Sequence, residues 1–173
     1  MEALVGCSGF YVAALDDDTW SSITAVGEVG TAGTNFPAGG LQRFMPFPAY
    51  GHIVAVEFLA HRSSTFTMPT GASIMVDLFR GSAGQLPLVQ SLPLNGPLQY
   101  DTGASFSGKI DLNPPLRVIN MGLATYSGLA NLEAKQGPSQ ANAIYGRVKA
   151  KCGGAMAWGA LIVHWEVGGR SGF

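Results

Sequence analysis

The chain has 173 residues, 47% hydrophobic and only 12% charged, with a formal net charge of −1. That length is one domain with room for a full core. Its ten basic residues are too few and too scattered for a nucleic-acid surface, and no run reaches the roughly 18 apolar residues of a membrane helix. The charged share is half the usual ~25%, and a surface so low in charge is what subunit interfaces offer. Of 24 glycines and 10 prolines, most fall close enough together to leave pieces too short for a helix; the longest free intervals are Phe10–Val26 and His52–Met68. The pieces are rich in Val, Ile, Phe, Tyr and Trp, as half-buried strands are.

Leu4-Val5-Gly6-Cys7 has the look of a lipoprotein cleavage box, but no basic residue precedes it and the apolar run is far too short for a signal peptide. The chain therefore reads as made in the cytoplasm and soluble. Val5–Leu15 is a first strand, ended by Asp16-Asp17-Asp18, and Ser22–Val26 is a short second one. The acid triplet lacks calcium-loop spacing and reads as a turn in which one Asp bonds locally to backbone. Gly27–Gly40 is a Gly-rich loop. Its GxxGxxG lacks both the dinucleotide spacing and a following helix. Phe44, Phe47 and Tyr50 are punctuated by Pro46 and Pro48, a pattern that suits a sandwich cap or a subunit contact.

Gly51–His61 alternates with Val54, Val56 and Phe58 on one face and Ile53, Ala55, Glu57 and Leu59 on the other. Ser73–Arg80 places Ile74, Val76 and Leu78 opposite Met75, Asp77 and Phe79. Turn residues between these two strands predict an antiparallel connection. Gly81–Tyr100, with Pro87, Pro93 and Pro97, reads as edge-like or loop. Phe106–Leu112 is a strand closed by Asn113-Pro114-Pro115. Leu116–Tyr126 is the next, and Leu129–Lys135 is a shorter candidate.

Ala143–Cys152 turns Ile144, Val148, Ala150 and Cys152 inward and Tyr145, Arg147, Lys149 and Lys151 to solvent. Gly153-Gly154 signals a hairpin into Met156–Val167, where Leu161, Val163 and Trp165 face inward and Trp158, Ile162, His164 and Glu166 outward. Eight or nine short strands predict an all-β, antiparallel two-sheet sandwich of jelly-roll-like form, a single domain over 1–173.

Chemistry-bearing residues are sparse. Cys7 and Cys152 either pair, if the first and last strands are neighbours, or remain two free thiols. His52 and His61 sit nine residues apart on one strand, about 30 Å at ~3.3 Å per residue. His164 and Glu166 form a candidate pair without a nucleophile or third ligand. No catalytic, cofactor or metal site follows from the sequence. Trp165 reads as core, while Trp158 is the better surface candidate for ligand contact.

The segment Trp158-Gly159-Ala160-Leu161-Ile162-Val163-His164-Trp165-Glu166-Val167 resembles the closing strand of viral β-sandwich proteins, where a Gly leads into an apolar strand ending aromatic-acid-apolar. The uncharged, Gly/Pro/Ser/Thr-rich texture of the rest is similar. Such proteins build capsid shells, project from them, or clamp their surface as decoration (cement) proteins, often as trimers. This chain lacks the basic N-terminal arm of genome-contacting coat proteins. The resemblance therefore implies an outer, accessory virion protein, not an enzyme, whose partners are its own copies and a major capsid protein. Phe44, Phe47, Tyr50, Trp158 and His164 are the candidate interface or ligand contacts, with no cofactor, nucleic acid or membrane. A carbohydrate- or receptor-binding fibre-type domain is the alternative reading.

Overall fold

A computed structural model describes residues 4–26, 50–80, 86–100, 103–119 and 144–168. Those residues form nine strands and no helix: β1 (Leu4–Val12), β2 (Thr24–Ala25), β3 (Tyr50–His61), β4 (Ser73–Arg80), β5 (Leu86–Pro93), β6 (Asn95–Gln99), β7 (Ser105–Ile119), β8 (Ile144–Lys151) and β9 (Trp158–Val167). They make a five-stranded sheet in the order β1-β9-β3-β7-β6 and a four-stranded sheet in the order β2-β8-β4-β5. The pairs β1/β9, β2/β8, β3/β7 and β4/β5 are antiparallel and nested. This is a chain folded in half and then rolled, the jelly-roll plan, with β6 added at one edge.

The inner faces follow the period-two alternation of the strands. Phe10, Val56, Phe58, Phe106, Leu161 and Val163 from one sheet meet Ile74, Val76, Leu78, Ile144 and Val148 from the other, all essentially without solvent exposure. Phe106 takes Phe58 and Phe66 edge-on, with centroids 6.5 and 5.8 Å away, the geometry that aromatic quadrupoles favour. Trp165 lies in this layer, and its Nε1 donates to the buried Ser8 Oγ at 2.8 Å. Its one polar atom is therefore satisfied, as burial requires. Gly108 gives room at the sheet switch between β5 and β6: a Cβ there would lie 2.9 Å from Ile74 and 3.1 Å from the buried Leu94.

Several strand partners differ from the sequence expectation. β3 and β4 do not pair but lie in opposite sheets, and so do β8 and β9. Gly153, at φ 81°, turns the chain, yet that turn carries it across the sandwich and makes no hairpin. Asn113-Pro114-Pro115 does not end a strand: β7 runs through it, and residues 116–119 continue the same strand. In β3 a register shift between Ile53 and Ala55 turns both Ile53 and Val56 inward and leaves Val54 half-exposed. A bulge inserts one residue and so reverses the alternation on one side of it. The segment 81–100 contributes two edge strands, β5 and β6, in agreement with its prolines. The expectations for Gly27–Gly40, Phe44, Phe47 and Leu129–Lys135 fall outside the described residues, as does the part of Leu116–Tyr126 beyond 119.

The charged face of β8 is also not simply wet. Tyr145 is buried with Phe79 and Ala25 in a second, outer cluster. The Arg147 guanidinium sits 4.4 Å from the Trp20 ring centre, with Lys149 Nζ at 5.1 Å from the same ring. Arg147 Nε also donates to Asp77 Oδ2 at 2.8 Å, and Asp77 Oδ1 accepts from Ser91 N at 2.6 Å. The Asp77 side chain is only 4% exposed, so this carboxylate depends on those partners. Hydrogen bonds to a charged group of this kind are each worth about 1.5–3 kcal/mol.

The crossing connections interlock at one end of the sandwich. Leu15 and Met156 exchange backbone hydrogen bonds at 3.1 and 2.9 Å. Asp17 Oδ1 accepts from Cys152 N at 2.7 Å and Gly153 N at 3.1 Å. The acid triplet thus does supply an Asp bonded to backbone, but to the other half of the chain instead of its own turn. Burial pushes the Asp17 carboxyl up, and the amide bonds from Cys152, Gly154 and Gly153 outweigh this and leave it below its ordinary value. A carboxyl lowered by folding contributes stability that is complete above the unfolded pKa of about 3.9 and is lost as pH falls through the folded value. Asp17→Ala should cost about 1–3 kcal/mol at neutral pH by denaturant unfolding, and the gap from the native chain should narrow in acid below pH ~4. A gap independent of pH would show that the charge plays no part.

Candidate functional site

The outer face of the five-stranded sheet collects most of the polar residues singled out above. Cross-strand register sets them in rows. Val5, Glu166, His52 and Arg117 form one; Cys7, His164, Ala55 and Asp111 form the next; Gly9, Ile162, Glu57 and Lys109 form a third. Farther along come Tyr11, Ala160, Leu59 and Ser107, then Trp158, His61 and Ser105. All three histidines of the chain thus point from the same face, because β3 and β9 are neighbours and each presents its outward parity there.

Two irregularities hollow this face. Between the pairs Ile53/Leu116 and Ala55/Asp111, the single residue Val54 of β3 faces four of β7, Leu112 to Pro115. The surplus chain of β7 leaves a shallow depression of about 460 Å³ lined by Val54, Ala55, Lys109, Asp111, Leu112, Asn113, Pro115 and His164. Beside it His164 Nε2 lies 3.0 Å from Glu57 Oε2, a diagonal contact between β9 and β3. Lys109 and Asp111 pair loosely at 3.7 Å and are both exposed. The hollow offers both charge signs and an amide but no aromatic wall.

Of the residues expected to make contacts, Trp158 and His164 share this outward face, six residues apart on β9. Trp158 is half-buried and stacks on His61 at 5.3 Å with a 25° interplanar angle, so one face of the indole is occupied. His164 bonds to Glu57, not to its near neighbour Glu166. Tyr50 opens β3 opposite Ile119, but its side chain, like Phe44 and Phe47, lies outside the described residues. Glu57, Lys109 and Asp111 escaped the sequence reading. The signal for them was the Asn-Pro-Pro inside a strand, which marks a bulge as readily as an end.

Two fragments of catalytic-looking geometry are present but separated. His61 Nδ1 lies 3.1 Å from Ser105 Oγ, and the carboxylate-bonded imidazole is His164. On β3 these positions correspond to His61 and Ala55, six residues or roughly 20 Å apart. A relay needs hydroxyl, imidazole and carboxylate in one chain of contacts. Among the described residues no three His, Cys, Asp or Glu side chains converge as a metal site would require. Cys7 on β1 and Cys152 just past the end of β8 are both free thiols. Burial and the nearby Asp17 charge push the Cys152 thiol up, away from reactive thiolate.

Among the described residues, the large apolar side chains that stand most exposed are at the two edges of this same sheet. Leu4 and Val5 on β1 are 61% and 67% exposed; Leu98 on β6 and Tyr100 just beyond it are 67% and 50% exposed. No protein-family model matches the chain, and no curated protein matches it. The Glu57/His164 contact and the Asp77/Arg147 ion pair give a contrast to measure. Glu57→Ala should change stability by no more than about 1 kcal/mol, as for other partly solvated pairs. Asp77→Ala should cost about 1.5–3 kcal/mol, because it removes the hydrogen bonds from Arg147 and the Ser91 amide to a buried carboxylate. Equal costs in urea unfolding would show that the outer face of the five-stranded sheet is held as tightly as the core.

Proposed function

We propose that the chain is a non-enzymatic structural module of a virus particle, an outer decoration or capsid-associated protein that joins copies of itself and seats on the shell. The observation that carries this reading is the exposure of Leu4, Val5, Leu98 and Tyr100 at opposite edges of one sheet, on a chain with half the usual charge. Covering such edges gains roughly 25 cal/mol per Å² of apolar area with few charges to strip of water. The sandwich supplies a rigid support, and the neutral exterior supplies the contact. A three-fold ring, the form that the resemblance implies, joins unlike edges of neighbouring copies; a pair joins like ones.

The carbohydrate-binding alternative draws on Trp158, and the stacked His61 weakens it by taking one face of the ring. Glycan-array binding that disappears in Trp158→Ala would favour that alternative. The structural reading expects sedimentation velocity to show an assembly of two or more copies at micromolar concentration, and images of the native particle to show the chain on its outer surface. A strict monomer that leaves shells unbound would contradict it.

A further inference from the structure

We infer that a cleft beside Trp20, between the end of β1 and the chain that leads into β2, binds a single neutral sugar ring. The cleft has a volume of about 240 Å³ and is lined by Tyr11, Trp20, Ser21, Ser22 and Thr24 around residues 12–15. β1 and β2 are terminal strands of their sheets and lie against each other. One wall of the cleft therefore belongs to the five-stranded sheet and the other to the four-stranded sheet.

Both walls are fixed. Leu15 is tied to Met156 through its backbone. Ser21 N donates to Val148 O at 2.9 Å, Ser21 Oγ accepts from Val148 N at 3.0 Å, and Thr24 pairs with Gly146. Trp20 stands opposite Lys149, and its ring lies against the Arg147 guanidinium, which donates to the buried Asp77. This cation–π contact sets the ring in place before any ligand arrives, which lowers the entropic cost of binding. Neither Arg147 nor Lys149 lines the cleft, so the indole meets it at a surface that the cations leave open.

The lining selects the ligand class. None of its nine residues carries a charge. A phosphate, carboxylate or ammonium that left water here would find no opposite charge in contact to repay its lost hydration. The cleft offers aromatic surface, an apolar floor and side-chain hydroxyls. Ser21 is committed to Val148, but Ser22 is exposed. Thr24 Oγ1 donates to Ser22 O at 3.3 Å and keeps its lone pairs for an incoming donor. A pyranose matches this set, with a C–H face for the indole and a rim of hydroxyls that both donate and accept. The volume falls below the roughly 300–1,000 Å³ of sites for drug-sized ligands, so one ring fits and a longer chain extends into solvent. The hollow near His164 has the opposite make-up, with Lys109 and Asp111 and no aromatic wall.

The test is chemical-shift mapping of the full chain by NMR with the methyl glycosides of glucose, galactose and mannose, and with glucuronate as the charged comparison. At least one neutral glycoside at millimolar concentration should shift the Trp20 indole N–H and the Ser22 and Thr24 amides, with Trp158 unmoved and glucuronate without effect. Trp20→Ala should weaken binding by about tenfold or more. Ser22→Phe, at an exposed position outside the core, should abolish it by filling the cleft and decides the matter if Trp20→Ala fails to fold; far-UV circular dichroism checks both variants. No shift with any of the three glycosides, shifts centred on Trp158 and His61, stronger shifts with glucuronate, or binding that survives Ser22→Phe each overturns the site. The self-association reading above is untouched by any of these results, since the cleft lies apart from Leu4, Val5, Leu98 and Tyr100.

Discussion

The antiparallel ladder between β1 and β9 is the constraint on which the remaining structure depends. It joins the first strand to the last through nine consecutive partners, at the cost of closing almost the whole chain as a loop. Once it forms, β2/β8, β3/β7 and β4/β5 follow as successively inner pairs, and the rolled hairpin encloses its apolar faces. Trp165 fastens the ladder from inside through Ser8. The same ladder aligns Cys7 with His164 and, through β3, brings Glu57 to His164. It also leaves β1 at the end of the sheet.

Similar residue types have very different roles on the two sides of the sandwich. On the four-stranded sheet, Asp77 is buried under Arg147, which in turn lies against Trp20. Charge there is part of the packing, because the segment after β1 folds back over β8. On the five-stranded sheet, the Glu57/His164 and Lys109/Asp111 pairs remain partly or fully solvated beside a shallow hollow. The first arrangement resists substitution, and the second can vary without loss of the fold.

The inward faces of β4, β8 and β9 were legible in the sequence because a strand with one buried side records it residue by residue in Ile74/Val76/Leu78 or Leu161/Val163/Trp165. Strand partners were not legible. Gly153-Gly154 provides the same sharp turn whether the chain returns beside itself or crosses to the other sheet, and only the distant contacts of Leu15, Asp17 and Met156 decide between them. Bulges hid two further features: the one in β3 exchanged Val54 for Ile53 on the inner face, and the one in β7 made the hollow near His164. Of the candidate site, Trp158 and His164 were correctly placed outward. Their partners, His61 and Glu57, depend on which strand lies next to β9, and no local pattern encodes that.

Residue-resolved hydrogen exchange over β1 and β9 tests the central claim most directly. The amides of Leu4–Val12 and Trp158–Val167 that pair with one another should exchange only with global unfolding. Rapid exchange of β1 by local opening, with β3 and β4 still protected, would contradict the account.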